Sequence, residues 1–177
     1  MLGAGLILVS TVIYATNNPE PVIAVQQPQI TPAPAAPLDC HFHIPKETTH
    51  IEQTVVLKWA TLAASQSFNL DFKTLDQELD ALKACYTEQG WQSFNDALEK
   101  SGNLKAIKTE QLKVSSTANG EGKINEIKDN QWKVSLPLQV VYQNEKQKLT
   151  QPLIVDLVIS RKPSGDLGIM QMIAAPK

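Results

Sequence analysis

The chain has 177 residues, with 16 Lys and Arg against 18 Asp and Glu for a formal net charge of -2. That length suits one domain plus accessory segments. The balanced charge, with no one-signed stretch after residue 46, excludes nucleic acid as a partner, because phosphate binding needs a basic footprint. An enzyme of acidic substrates is not excluded on this ground, since a few local cations suffice.

From Leu2 to Ala15 the sequence carries no charge, with Ser10 and Thr11 as polar breaks. The stretch is shorter than the ~20 residues that cross a hydrocarbon core. It fits the apolar part of a secretory signal peptide, with Ile13 and Ala15 as the exit before Thr16. No Lys or Arg precedes Leu2, so residues 1–15 read as a signal peptide or as the remnant of a membrane anchor. Residues 16–45 follow as a tether that holds seven of the 11 prolines, from Pro19 to Pro45. That density of missing amide donors forbids a helix. An extended spacer of about 3 Å per residue, or plain disorder, is expected. Val22, Ile23, Val25 and Ile30 make it slightly sticky. Cys40 lies too far beyond the apolar stretch to be a lipidation site.

The folded domain is expected over 46–177. Thr49 and Glu52 form a capping-box pattern, and Ile51, Val55, Trp59 and Leu62 recur at helical spacing, predicting a helix from about Thr49 to Gln66. Phe72, Leu75, Leu79, Leu82 and Tyr86 predict a second helix that stops before Gly90. Trp91, Phe94 and Leu98 face inward on a third, which ends at Ser101-Gly102-Asn103.

Beyond Asn103 the period changes from helical to alternating. Trp132, Val134, Leu136, Leu138, Val140 and Tyr142 share one face of a strand, while Lys133, Gln139 and Gln143 take the other. Leu149, Leu153, Val155, Leu157 and Ile159 repeat the pattern, as do Leu167, Ile169 and Ile173, and more weakly Leu112 and Val114. Asn119-Gly120, Asn144-Glu145-Lys146 and Pro163-Ser164-Gly165 read as hairpins or turns. Pro137 cannot donate to a ladder, which predicts a bulge or an edge in mid-strand. Helices followed by a run of strands make an α+β domain, N-terminal helices packed on one face of a curved antiparallel sheet.

Chemistry is sparse in this pattern. His41, His43 and His50 all precede or open the first helix, and the sheet region has no histidine to act as a base. Inward strand positions are aliphatic or aromatic, so a pocket between helices and sheet would be apolar. No catalytic residue, cofactor or metal is expected. Cys40-His41-Phe42-His43, with His50 and Cys85, has the residue types of a zinc site but poor spacing. The alternatives are a Cys40–Cys85 disulfide, favoured in an oxidising compartment, and two free thiols. By loop length such a bridge would contribute about 3 to 4 kcal/mol. Trp59, Trp91 and Trp132 sit on apolar stripes and read as core. The face carrying Lys133, Gln139 and Gln143, with the outer helix sides, is where partners would dock.

The ordered run Trp59-Ala60 through Asp71-Phe72, Tyr86-Thr87, Gly90-Trp91, Phe94, Ala97-Leu98 and Ser101-Gly102-Asn103 resembles the IcmL/DotI family of the Dot/Icm type IVB secretion system. So do Gln131-Trp132-Lys133-Val134, Leu136-Pro137-Leu138, Tyr142, Gly168-Ile169 and Gln171, so that the resemblance spans residues 50–175. It implies a periplasmic domain similar to the cone-shaped, nuclear-transport-factor-like fold of type IV secretion proteins. It also implies a non-enzymatic structural subunit that contacts other envelope secretion subunits and can contact its own copies, with no small-molecule substrate. Trp59, Phe72, Tyr86, Gly90, Trp91, Phe94, Trp132, Pro137, Tyr142 and Gly168 would then be structural. The short leader and long tether make the chain similar to a soluble exported paralogue, associated with the inner-membrane or the outer-membrane core complex. The competing reading from the residues is a periplasmic binding module whose curved sheet encloses an apolar ligand.

Overall fold

The computed structural model describes residues 38–177, and the leader and most of the tether lie outside the described residues. A strap without regular structure, residues 38–52, leads into α1 (Gln53–Ser67) and the two-residue β1 (Leu70–Asp71). Next come α2 (Leu75–Leu82), a 3-10 turn (Lys83–Cys85), α3 (Glu88–Lys100) and α4 (Asn103–Thr109). Five strands complete the chain: β2 (Lys113–Ala118), β3 (Lys123–Lys128), β4 (Gln131–Gln143), β5 (Lys148–Arg161) and β6 (Leu167–Pro176). All ladders are antiparallel, in the order β1-β2-β4-β5-β6, with β3 also on β4. The fold is α+β, its N-terminal helices packed on a curved half-barrel sheet.

On α1, Val56, Trp59, Ala60, Ala63 and Ala64 are buried at helical spacing. The three alanines let the helix sit close on the sheet, and Trp59 fills the space beside them. Opposite them the inward residues of β4 and β5, among them Leu136, Leu138, Leu157 and Ile159, are almost fully buried. Each such side chain contributes roughly 1.5–3 kcal/mol by leaving water.

The helix boundaries differ from the expected ones. α1 starts at Gln53 after Glu52, with no side-chain cap, so Thr49 caps nothing and Ile51 is buried ahead of the helix. The reason is tertiary: Thr48 N–H donates to Pro45 O and Thr48 O accepts from Arg161, which fixes a turn where the capping box would need a helix start. The second helix is also shorter than the apolar stripe. Phe72 lies before it, its N–H bonded to Leu112 O, and Tyr86 lies beyond it in extended conformation. Tyr86 instead makes a parallel bridge to Ile169 on β6. α3 ends as expected, with Gly102 in the left-handed region at φ 76° where only glycine is unstrained.

The sheet holds its own corrections. α4 and β3 were not expected, and β2 and β3 do not form a hairpin across Asn119-Gly120. They lie end to end along the same side of β4, β2 against Leu138–Gln143 and β3 against Gln131–Ser135. Pro137 falls in the gap between them. Its carbonyl accepts from Asn119 N–H at 2.8 Å, so its missing amide faces a break in the ladder rather than a bulge of β4, whose pairing with β5 is unbroken. The register shifts lie instead in β3, between Ile124 and Glu126, and opposite Val158/Ile159, where Met170 is the extra residue of β6. That bulge inverts the alternation: Leu167 and Ile169 point inward, but Ile173 faces outward, 55% exposed. Leu149 is opposite the inward Tyr142 yet remains 61% exposed, because the sheet extends past the helices there.

Candidate interaction surfaces

The strap is tied down at two places. Cys40 is joined to Cys85 by a disulfide whose Cα atoms are 4.7 Å apart, a bridge that spans 45 residues of sequence. Gln66, at the end of α1, places its Oε1 3.1 Å from the Cys40 sulfur and 3.2 Å from the Cys85 sulfur. Farther along, the β5–β6 hairpin grips the strap. Arg161 donates from its guanidinium to Pro45 O at 2.9 Å, to Thr48 O and to Gly165 O at 2.9 Å. Three carbonyls share one rigid fork, which is the geometry Arg offers and Lys does not. Asp166 accepts from Ile44 N–H at 2.8 Å and lies 2.9 Å from His43 Nδ1. Burial on its own would raise the Asp166 pKa; the Ile44 amide, the Ser164 hydroxyl and His43 outweigh it and hold the carboxyl below its ordinary value. Neighbouring Lys162 donates to Ala84 O, and burial pushes its pKa down against the opposing pull of Asp166.

The second feature is the seam between α3 and β6. Thr87 caps α3 by accepting from Gly90 N–H at 3.0 Å, and its own N–H donates to Ile169 O at 3.0 Å. Gly90 lies so close to β6 that a Cβ there would fall 2.0 Å from Ile169 O. Gly168 faces Thr87 in the same seam. Around it Tyr86 stacks on Phe94 at 4.8 Å and meets Trp91 edge-on at 5.9 Å. The Tyr86 hydroxyl is 2.7 Å from Ser67 Oγ, and its pKa is raised by burial, with the Ser67 hydrogen bond opposing. Trp132 and Trp59 are core residues, Tyr142 is half-buried on the inner face of β4, and Phe72 packs against the core margin. The structure thus gathers Tyr86, Gly90, Trp91, Phe94 and Gly168 into one seam. It leaves Phe72, Trp132, Pro137 and Tyr142 dispersed.

Two surfaces remain uncovered. On the inner face, where the sheet outruns the helices, a cavity of about 240 Å³ opens beside Phe68, Phe94, Ile107, Tyr142 and Met172. It is below the several hundred Å³ of a ligand site, although a shallow opening of about 440 Å³ adjoins it at Tyr142, Leu149 and Leu153; Trp59 and the inward strand residues fill the interior beneath. The outer face carries Pro137 paired with Ile154 and Ile154 with Ala175, next to Ile173. The expected Lys133 and Gln139 share that face, Lys133 paired to Glu126 at 2.5 Å. His41, His43 and His50 converge on no site, and no group of His, Cys, Asp and Glu among the described residues could hold a metal. Among the described residues no helix is long and apolar enough to cross a membrane.

A half-barrel sheet lined by aliphatic side chains, with a strap fastened at two places, defines a scaffold domain that offers shape and surface. The chain belongs to the DotI/IcmL family: the sequence profile described as "Type-IV b secretion system, inner-membrane complex component" matches residues 4–176. The periplasmic domain of DotI is 32% identical, with a TM-score of 0.68 over 73% of this chain and 99% of that one. An IcmL-like type IV secretion system protein from Legionella pneumophila is 20% identical at a TM-score of 0.68, covering 72% and 94%. A periplasmic fragment of TraM is 23% identical at 0.64, covering 72% and 100%. No curated protein matches the chain. The protein is a non-enzymatic structural subunit of a Dot/Icm-like type IV secretion system that acts through protein contacts, and it sits in the periplasm as part of a membrane-associated complex.

Proposed function

We propose that the domain is a cone of the nuclear-transport-factor-like kind that docks other secretion-system subunits, and can dock its own copies, through its outer sheet face and outer helix sides. The observation that carries this is the assignment of family-motif residues: Tyr86, Gly90, Trp91, Phe94 and Gly168 all close the α3–β6 seam, so they serve the domain's shape. Residues 1–15 act as a signal peptide or anchor remnant and residues 16–45 as the tether that carries the domain 46–177 to either membrane's core complex. The Cys40–Cys85 bridge fits an oxidising compartment. In-cell crosslinking followed by purification should recover other envelope subunits. Recovery of the monomer alone, under conditions where known subunits crosslink to each other, would count against the reading.

A further inference from the structure

The strap's two fastenings differ in kind. The outer one, at Cys40, is covalent, and the apolar side chains that pack on the core beside the bridge there are Leu38 and Phe42, which are partly buried. The inner one, at Ile44 to Thr48, is made by Asp166 and Arg161 together with buried Ile44 and does not involve sulfur. The sulfur site also suits both oxidation states. Bridged sulfurs carry no protons, and the Gln66 amide can turn its NH₂ toward them. As thiols, both would donate to the same Gln66 oxygen, so opening the bridge leaves no buried polar atom without a partner.

We propose that the Cys40–Cys85 bridge is a redox latch that holds residues 38–42 on the domain. A thiolate of a dithiol reductant attacks the sulfur of Cys40, a residue 6% exposed, rather than that of Cys85, which is fully buried. The S–S bond breaks and the electron pair leaves on Cys85, which takes up a proton. The second thiolate of the reductant then attacks its own mixed-disulfide sulfur, expelling Cys40 as a thiolate that takes up a proton, and the reductant departs as a disulfide. Residues 38–42 peel away, and the strap stops at the Asp166–Arg161 clamp, which also holds His43. Five released residues lengthen the connection by up to about 16 Å at ~3.3 Å each. The sheet is untouched, because Cys85 keeps its place through the neighbouring Tyr86–Ile169 bridge.

Amide exchange of the full-length protein, with and without millimolar dithiothreitol and in the C40S/C85S variant, tests this. Reduction and the variant should both raise exchange of the Phe42 amide, which donates to Asp39 O, by about tenfold or more. Exchange at Ile44, Thr48 and through β4 and β5 should stay unchanged. The proposal is overturned if the bridge resists dithiothreitol until the domain unfolds, as read by alkylation and intact mass. Exchange that rises throughout the sheet once the bridge opens, or that does not rise at Phe42, overturns it equally.

Discussion

Replacing Gly90 with alanine places a Cβ 2.0 Å from Ile169 O and 3.0 Å from Met170 Cα, where ordinary contact begins near 3.4 Å. Both opposing atoms are backbone, so nothing can rotate aside, and α3 must retreat from β6 by about 1.4 Å. In a free helix the same change would stabilise by about 1 kcal/mol. Here the retreat strains the Thr87 N–H bond to Ile169 O, which makes the Tyr86 bridge and is worth about 1 kcal/mol. It also opens the aromatic contacts of Trp91 and Phe94 with Tyr86. With overpacking costs of about 1–3 kcal/mol, the net expectation is destabilisation by about 2–3 kcal/mol. Urea unfolding of the full chain under non-reducing conditions, with an unchanged slope, measures it. A variant as stable as the parent would refute the reasoning, because the helix propensity would then outweigh the seam.

Arg161→Met should cost about 2 kcal/mol, since three carbonyls lose one charged donor, and should raise amide exchange at Thr48 while leaving β4 protected. Asp166→Asn tests a pH limb. The folded-state pKa is depressed, so the stability it contributes is present above the unfolded value near 3.8 and is lost as pH falls through the folded value. The substitution should flatten the parent's loss of stability below about pH 4 in acid titrations followed by circular dichroism. Tyr86 has the opposite sense: its raised pKa keeps the neutral phenol, so its contribution is full below pH 10.0 and fades above it. Tyr86→Phe should cost about 1 kcal/mol at neutral pH and remove that alkaline loss. Pro137→Ala should change stability by less than about 1 kcal/mol, because the new amide faces the gap between β2 and β3; a gain of more than that in thermal unfolding, from a restored ladder hydrogen bond, would place Pro137 in a continuous ladder instead.

What could be read from the sequence was whatever a single face dictates. The alternation from Trp132 to Tyr142 predicts its strand because one side of β4 meets the helices along nearly its whole length. Trp59 and the alanines of α1 likewise follow helical spacing. The misread elements are those where a distant group overrules a local pattern. Thr49 and Glu52 form a capping box, but Arg161, more than a hundred residues away, fixes the turn just before them. Tyr86 continues the α2 stripe, yet its partner is Ile169. Ile173 keeps step with Ile169 only if no residue is inserted, and Met170 is the insertion. β3 escaped notice because its own bulge interrupts the period, although Asp129-Asn130, with φ of 50° and 59°, is a hairpin turn pair that could have revealed it. The α3–β6 seam was legible only as scattered aromatic and glycine positions; nothing local says that they meet.

The strand order also bears on how copies of the domain can meet. A sheet grows by adding strands at its edges, and here both edges discourage it. β1 is two residues long. β6 is occupied at Ile169 by Tyr86 and Thr87 and ends at Pro176, which has no amide to offer. β3, short and bulged, carries Lys123, Glu126 and Lys128 along its length. Open-ended strand addition is thereby disfavoured, so an assembly of defined size would use faces and helices, whose contacts can close on themselves, and leave the backbone ladders internal to each subunit.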